Sequence, residues 1–197
     1  MANAAPMGFK DSVMAMGDVG PNWREGWANL AVTARDAVGA GGLYMRSDDR
    51  ARTRTLAELN YTRLLSRWNL ADAQANIWLF GGIGSIRGND FAGARLAYAP
   101  GMQLDFETTR VYLAATARAY RASGLNHDFG ALRAGFSFYE VDYDETQPWL
   151  VLEARRMRGL SDTTEVTPML RLIHSRYFVE FGVNTARQAR ANLMYVF

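Results

Sequence analysis

Arg54, Arg95, Arg110, Arg118, Arg133, Arg155, Arg171 and Arg190 share one feature. Each falls on the polar parity of a segment whose other parity is apolar. Glu58, Asp105, Glu107, Glu153 and Glu180 occupy the same kind of position, and Glu140 joins them if a bulge offsets it from Phe136 and Phe138. A guanidinium is always charged, planar and able to grip a carboxylate through two parallel hydrogen bonds. Facing one another across a confined space, these groups have two uses. Unpaired arginines attract anions and steer charged solutes. Paired ones lock the space shut.

Other chemistry has less support. His127 lies in a turn-rich stretch near Ser123 and Asp128, and His174-Ser175 marks another turn. Neither histidine shows the third orienting group of a catalytic triad. Met7, Met14 and Met16 are soft thioether donors suited to copper(I), and Met14 and Met16 would share a strand face. Packing by an adaptable side chain is the simpler account, so no metal and no cofactor are assigned. Gly81-Gly82-Ile83-Gly84 lacks the Gly-Lys-Ser/Thr and following helix of a phosphate loop. It reads as a strand that bends or approaches a neighbour closely.

Alternating strands must hold these residues. From Arg95 to Glu107 one parity reads Arg95, Ala97, Ala99, Gly101, Gln103, Asp105, Glu107 and the other Leu96, Tyr98, Pro100, Met102, Leu104, Phe106. The same period of 2 runs through Arg110–Tyr120, Tyr177–Val183 and Arg190–Phe197. Polar, turn-rich clusters at residues 19–24, 47–49, 87–90, 123–126, 159–162 and 184–185 alternate with tighter breaks at residues 34–36, 69–72, 107–108, 144–146 and 174–175. Eleven connections predict twelve strands, with ten as the alternative count, each long enough for the roughly 9–11 residues of a tilted membrane strand. Ala57, Tyr61, Leu64, Leu65 and Trp68 also fit a helix stripe, but no capping box frames it and the recurring alternation decides for strands.

Composition narrows the class. The chain has 197 residues and a net charge of +2, which suits one domain over 1–197 with residues 1–11 as a flexible segment, and no nucleic-acid partner. Zero cysteines exclude disulfides and thiolate zinc sites, and the two histidines exclude a histidine-rich metal centre. The apolar run Ile77 to Gly84 falls short of the about 20 residues of a membrane-spanning helix. All the basic residues but Lys10 are arginines, and they are spaced among Gly, Ala, Ser and Thr. That mixture suits a confined interior, whereas the Leu, Val, Phe and Tyr of the opposite parity suit a wall facing lipid. Trp27, Trp68, Trp149, Tyr61 and Tyr177 fall near strand ends, where aromatic girdles sit. Pro100 and Pro168 each delete a ladder donor, and Arg63 and Arg156 fall on the lipid-facing parity unless a bulge or the membrane interface accommodates them.

Leu193, Tyr195 and Phe197 share one parity at the chain end. In this the segment resembles the C-terminal assembly signal of Gram-negative outer-membrane β-barrels. In size and arginine-rich lumen the chain is similar to the small twelve-stranded oligosaccharide channels. The resemblance implies an all-β, closed, antiparallel transmembrane barrel in the bacterial outer membrane. It also implies outer-membrane lipid and the barrel-assembly machinery as partners, the latter through Leu193, Tyr195 and Phe197. A signal peptide is absent from the chain and is expected to have been removed. The leading expectation is a narrow passive channel for small polar or anionic solutes and no enzyme, with Arg95 and Arg118 as its freer charges and Arg110 neutralised by Asp105 and Glu107. The rivals are a plugged barrel with a structural or surface-interaction role, and a lipid-modifying enzyme using His127.

Overall fold

The computed structural model describes residues 6–197; the first five residues of the expected N-terminal segment lie outside the described residues. The alternating segments form β1 (Val13–Val19), β2 (Trp23–Ala31), β3 (Asp36–Arg46), β4 (Thr53–Asn69) and β5 (Ala73–Gly88). They continue as β6 (Ala94–Tyr98), β7 (Gly101–Thr108), β8 (Val111–Ala122) and β9 (Leu125–Phe136). The last four are β10 (Gln147–Arg158), β11 (Glu165–His174), β12 (Tyr177–Val183) and β13 (Ala189–Val196). Every neighbour is antiparallel, and β1 pairs with both β2 and β13, so the sheet closes on itself. Closure leaves no unpaired strand edge, which is the condition for strands to cross hydrocarbon.

Thirteen segments make twelve barrel strands, because β6 and β7 occupy one place between β5 and β8. Ile83 pairs with Tyr98 and Phe80 with Gly101, so the register runs unchanged through the interruption at Ala99-Pro100. Gly82 and Ala99 still exchange backbone bonds at 3.1 and 2.9 Å. Pro100 accepts from the Ala119 amide at 2.8 Å but has no N–H to return, and that missing donor is the whole of the break. Pro168 stays in register opposite Leu152.

A bulge in β4 moves the pairing from Leu64–Trp78 to Ser66–Ile77, leaving Leu65 as the extra residue. Beyond it Arg67 points inward, its Nε donating to Asn76 Oδ1 at 2.7 Å. Arg63 stays outside and is held at the rim by Asp36 at 2.8 Å. Arg156 is also outside, 4.0 Å from Asp162 in the following loop. Both arginines therefore sit toward the ends of the barrel wall, where a long side chain can reach water.

The outer face is apolar. Leu59 (67% exposed), Leu132 (64%), Leu96, Ile83, Leu152 and Phe181 stand open there, an arrangement that water does not tolerate in a monomer and lipid requires. Tyr61, Trp68 and Tyr177 are exposed as girdle residues should be. Trp27 and Trp149 are not. Trp149 is buried and Trp27 packs against the cluster that contains it, because they share parity with Glu153 and Glu25 and so face the lumen. Leu193 and Phe197 are exposed, and the Tyr195 ring lies 4.6 Å from both Tyr177 and Phe197.

Both described termini lie at one end of the barrel. Tight turns join strands there at residues 32–35, 70–72, 109–110 and 175–176, whereas residues 47–52, 89–93, 159–164 and 184–188 form longer loops at the other end. Three connections break this pattern. Residues 20–22 form a short connection at the loop end. Residues 123–124 are a tight turn at the loop end, made possible by the positive φ of Gly124 (70°). Residues 137–146, read from sequence as a short break near 144–146, form a long connection at the turn end.

Candidate functional site: the barrel lumen

Period-2 alternation aims every second residue of twelve strands at one axis, so the lumen is where charged side chains accumulate. Along the wall from β9 through β13 to β1 they form a chain of alternating sign. Asp18 accepts from Arg190 at 2.9 Å, and Arg190 also grips Glu153. Arg133 Nε lies 3.1 Å from Glu153, and Arg133 pairs as well with Glu180, which takes Arg171 at 2.7 Å. Arg155 branches from this chain to Asp18 at 3.2 Å and Glu165 at 3.1 Å. The Arg171 guanidinium is further covered by the rings of Tyr112 and Phe178, at 4.5 and 4.8 Å.

The facing wall is organised differently. Arg118 on β8 pairs with Glu58 on β4 and lies 3.5 Å from Glu25 on β2. Its Nε donates to the Ala99 carbonyl at 3.2 Å, and Tyr120 and Phe80 flank it. Gly82 makes room for this pair: a Cβ there would overlap Glu58 Oε2 and stand 3.1 Å from Arg118 Nη2. Asp105 has no arginine at all, and accepts from Asn76 at 2.6 Å, Trp78 at 2.8 Å and Gln103 at 3.1 Å.

Apolar side chains close the lumen above the charges. Trp23 on β2 stacks on Phe129 of β9 at 5.1 Å and meets Tyr120 edge-on at 6.1 Å. β2 and β9 stand on opposite walls of the ring, so this contact spans the barrel. Leu43, Met45, Leu56, Ile86 and Met157 pack into the same layer. Toward the turn end, Met7 is buried against Ala31, Ala37, Leu64 and Trp78, and Pro6 accepts a hydrogen bond from Asn29 at 3.0 Å. Between these layers lies a chamber of about 200 Å³ whose lining includes Glu25, Glu58, Arg118, Arg133 and Glu153.

Several sequence expectations change at this level. Arg118 is not a free charge, since two carboxylates share it. Arg110 does not line the lumen; it turns over the rim, donating to the Ser137 carbonyl at 3.1 Å with its guanidinium over the outward Phe136 ring. Asp105 and Glu107 therefore do not neutralise it. Arg95 sits at the loop-end mouth, 4.0 Å over Phe91 and bonded to the Ser123 carbonyl. Arg54 is beside it, paired with Asp90 at 2.6 Å. Glu140 lies in the 137–146 connection, where it accepts from Thr109.

His127 is buried in β9 rather than placed in a loop, and neither ring nitrogen has a hydrogen-bond partner among the described residues. Asp128 points the other way and holds Arg121. The Ser123–His127–Asp128 grouping does not form. Met14 and Met16 pack together, but Met7 belongs to a separate cluster. Asp18, Glu25, Asp90 and Glu165 are partners that sequence reading did not single out. Their signal was available in part, since Met14, Met16, Asp18 and Trp23, Glu25, Trp27 keep the period of 2.

No family model matches the chain, and no curated protein sequence matches it. Among solved structures, the KdgM porin superposes with a TM-score of 0.53 over 94% of this chain and 98% of its own, at 11% identity. The KdgM porin in complex with disordered oligogalacturonate gives the same values. The fold is that of the KdgM porin. The likeness is one of architecture, and the luminal pairs described above stand on this chain's own geometry.

Proposed function

We propose that the chain is a narrow channel for small polar solutes in the bacterial outer membrane, held closed in the conformation described. The observation that carries this reading is the chamber on the barrel axis, into which charged side chains reach from several strands. A passage needs a space with charged groups reaching into it, and the chamber of about 200 Å³ supplies one. The shared architecture with a porin that takes oligogalacturonate supports solute passage. Anion preference has a single remaining support in Arg95 at the mouth. The chamber itself sets Glu25 and Glu58 against Arg118.

One observation favours the plugged barrel as a second reading, the contact of Trp23 with Phe129 across the lumen. Planar-bilayer recording separates the two. The channel reading expects small discrete steps from wild type, and Trp23→Ala, which removes the ring that bridges the walls, should enlarge them several-fold. Barrels of both kinds that fold, insert and pass no ions would overturn the channel and leave the plug.

A further inference from the structure

The chamber carries more carboxylate than it neutralises. Glu25 and Glu58 both reach into it and have Arg118 as their one cationic partner. Glu58 is bound through Oε1, while its Oε2 has no hydrogen-bond partner among the described residues, although the side chain is only 7% exposed. Glu25 stands 3.5 Å from Arg118, beyond the usual length of a charge-assisted bond. A second acceptor in the lining, Asn29 Oδ1, is also buried without a donor, its amide nitrogen being committed to the Pro6 carbonyl. Buried acceptors left unpaired are costly, and a buried uncompensated charge costs more. Among the described residues the unpaired acceptors of the lining, Glu58 Oε2, Asn29 Oδ1 and Asn192 Oδ1, outnumber its one unpaired donor, Arg133 Nε. The lining also includes the aromatic rings of Trp27, Phe80 and Phe178, a kind of surface that attracts cations, and Phe80 and Phe178 already flank Arg118 and Arg171.

We propose that the chamber binds a small organic cation, a protonated amine seated between Glu25 and Glu58 with its apolar part against the aromatic rings. The ammonium would supply the missing donors and the missing charge together. The volume of about 200 Å³ suits a single small molecule, since a dry cavity of about 150 Å³ takes benzene. The arginine-rich wall beyond β9 does not cancel the excess acid, because its guanidinium groups are held in ion pairs with Glu153, Glu180, Asp18 and Glu165. Binding is a property of the chamber whether or not solutes cross it, so failure of conductance and failure of binding are separate results.

The probe is benzylammonium, compared with its neutral and anionic counterparts benzyl alcohol and benzoate. The barrel is refolded into detergent with each probe present, so that access through the closed ends does not decide the result, and retained ligand is measured by equilibrium dialysis. Benzylammonium should saturate one site and bind at least about tenfold more tightly than benzyl alcohol, the ratio expected for a hydrogen bond to a charged group. Glu58→Gln should reduce that ratio to near one. Glu25→Gln, less deeply engaged with Arg118, should do so in a barrel that still shows heat-modifiable migration on gels. Equal binding of the amine and the alcohol would mean that one carboxyl is already protonated, and would overturn the proposal. So would preference for benzoate, which would make Arg118 the acting charge, or no retained ligand at all.

Discussion

The two walls of the lumen use the same residue types to opposite ends. From β9 round to β1, Arg133, Arg155 and Arg190 each meet at least two carboxylates, and Asp18, Glu153 and Glu180 are each shared by at least two arginines. Across the lumen a lone arginine serves two carboxylates and leaves an acceptor unpaired. Buried ion pairs roughly break even against apolar packing, so their value lies in what happens when one member is lost. A closed chain makes a wall stiff and unforgiving. An open one leaves a charge for something else to use. Counting arginines in the lumen does not distinguish these; tracing their partners does.

The sharpest way to break the comparison is to remove one acid from each wall. Glu180 is fully buried between Arg133 and Arg171. Glu180→Ala strands the Arg171 guanidinium and leaves Arg133 with Glu153 alone, and should cost about 3–5 kcal/mol of stability. Glu25→Gln removes a carboxylate from the side with acid in excess and should cost under about 1 kcal/mol, as for weakly engaged pairs. Urea-driven unfolding from lipid vesicles measures both. Losses of equal size would show that the walls do not differ.

Gly82 tests the same contrast through shape. A methyl at this position overlaps the Glu58 carboxylate, so Gly82→Ala should push the Arg118–Glu58 pair aside at a cost of about 1–3 kcal/mol, in the range of overpacking. Gly130, midway along β9 on its outward face, has nothing within 4 Å of a built Cβ, and Gly130→Ala should be close to neutral in the same unfolding measurement. A neutral Gly82→Ala would show that Glu58 is mobile and that the pair does not organise its wall.

Alternation made the barrel legible, because a side-chain period of 2 with one apolar parity survives even Pro100, where only a donor is lost and the register holds. Partners were less legible. Arg118 and Glu58 are sixty positions apart and meet through barrel curvature, which no local spacing encodes. Asp18 and Glu25 flank a stretch that reads as one loop from residue 19 to 24, yet the structure turns in residues 20–22 and gives Trp23 and Glu25 to the lumen. Phe136 and Phe138 carry strand-like alternation past the end of β9 into residues that form a connection, so the sequence puts the break near residues 144–146, after the connection has begun. Met7 carries no pattern at all. Its burial comes from the space beside Trp78 and Leu64 that the finished barrel leaves.

The smallest expected effect lies at the loop-end mouth, where pairing is exposed to water. Arg54 Nη2 meets Asp90 Oδ2 at 2.6 Å, and Phe91 lies between Arg54 at 5.2 Å and Arg95 at 4.0 Å. Asn89 fastens the same loop, accepting from the Thr53 amide at 2.9 Å and donating to the Ala51 carbonyl at 2.7 Å. Partial burial raises the Asp90 carboxyl, but the Arg54 bond and charge outweigh it and hold it below its ordinary 3.8. A carboxylate depressed on folding contributes stability above its unfolded pKa and loses it as pH falls through the folded value. Residues 89–93 should therefore exchange amide hydrogens faster, relative to the intrinsic rate, once the pH drops below about 4. Asp90→Asn should show the faster exchange at neutral pH and little further change on acidification. The Asp90 side chain is 40% exposed, so solvent screens the pair and the effect should stay within this loop. Acid-enhanced exchange that reached Glu153 and Glu180 at the same pH would mean that the mouth and the charged wall open as one unit, and the two regions would no longer be separable.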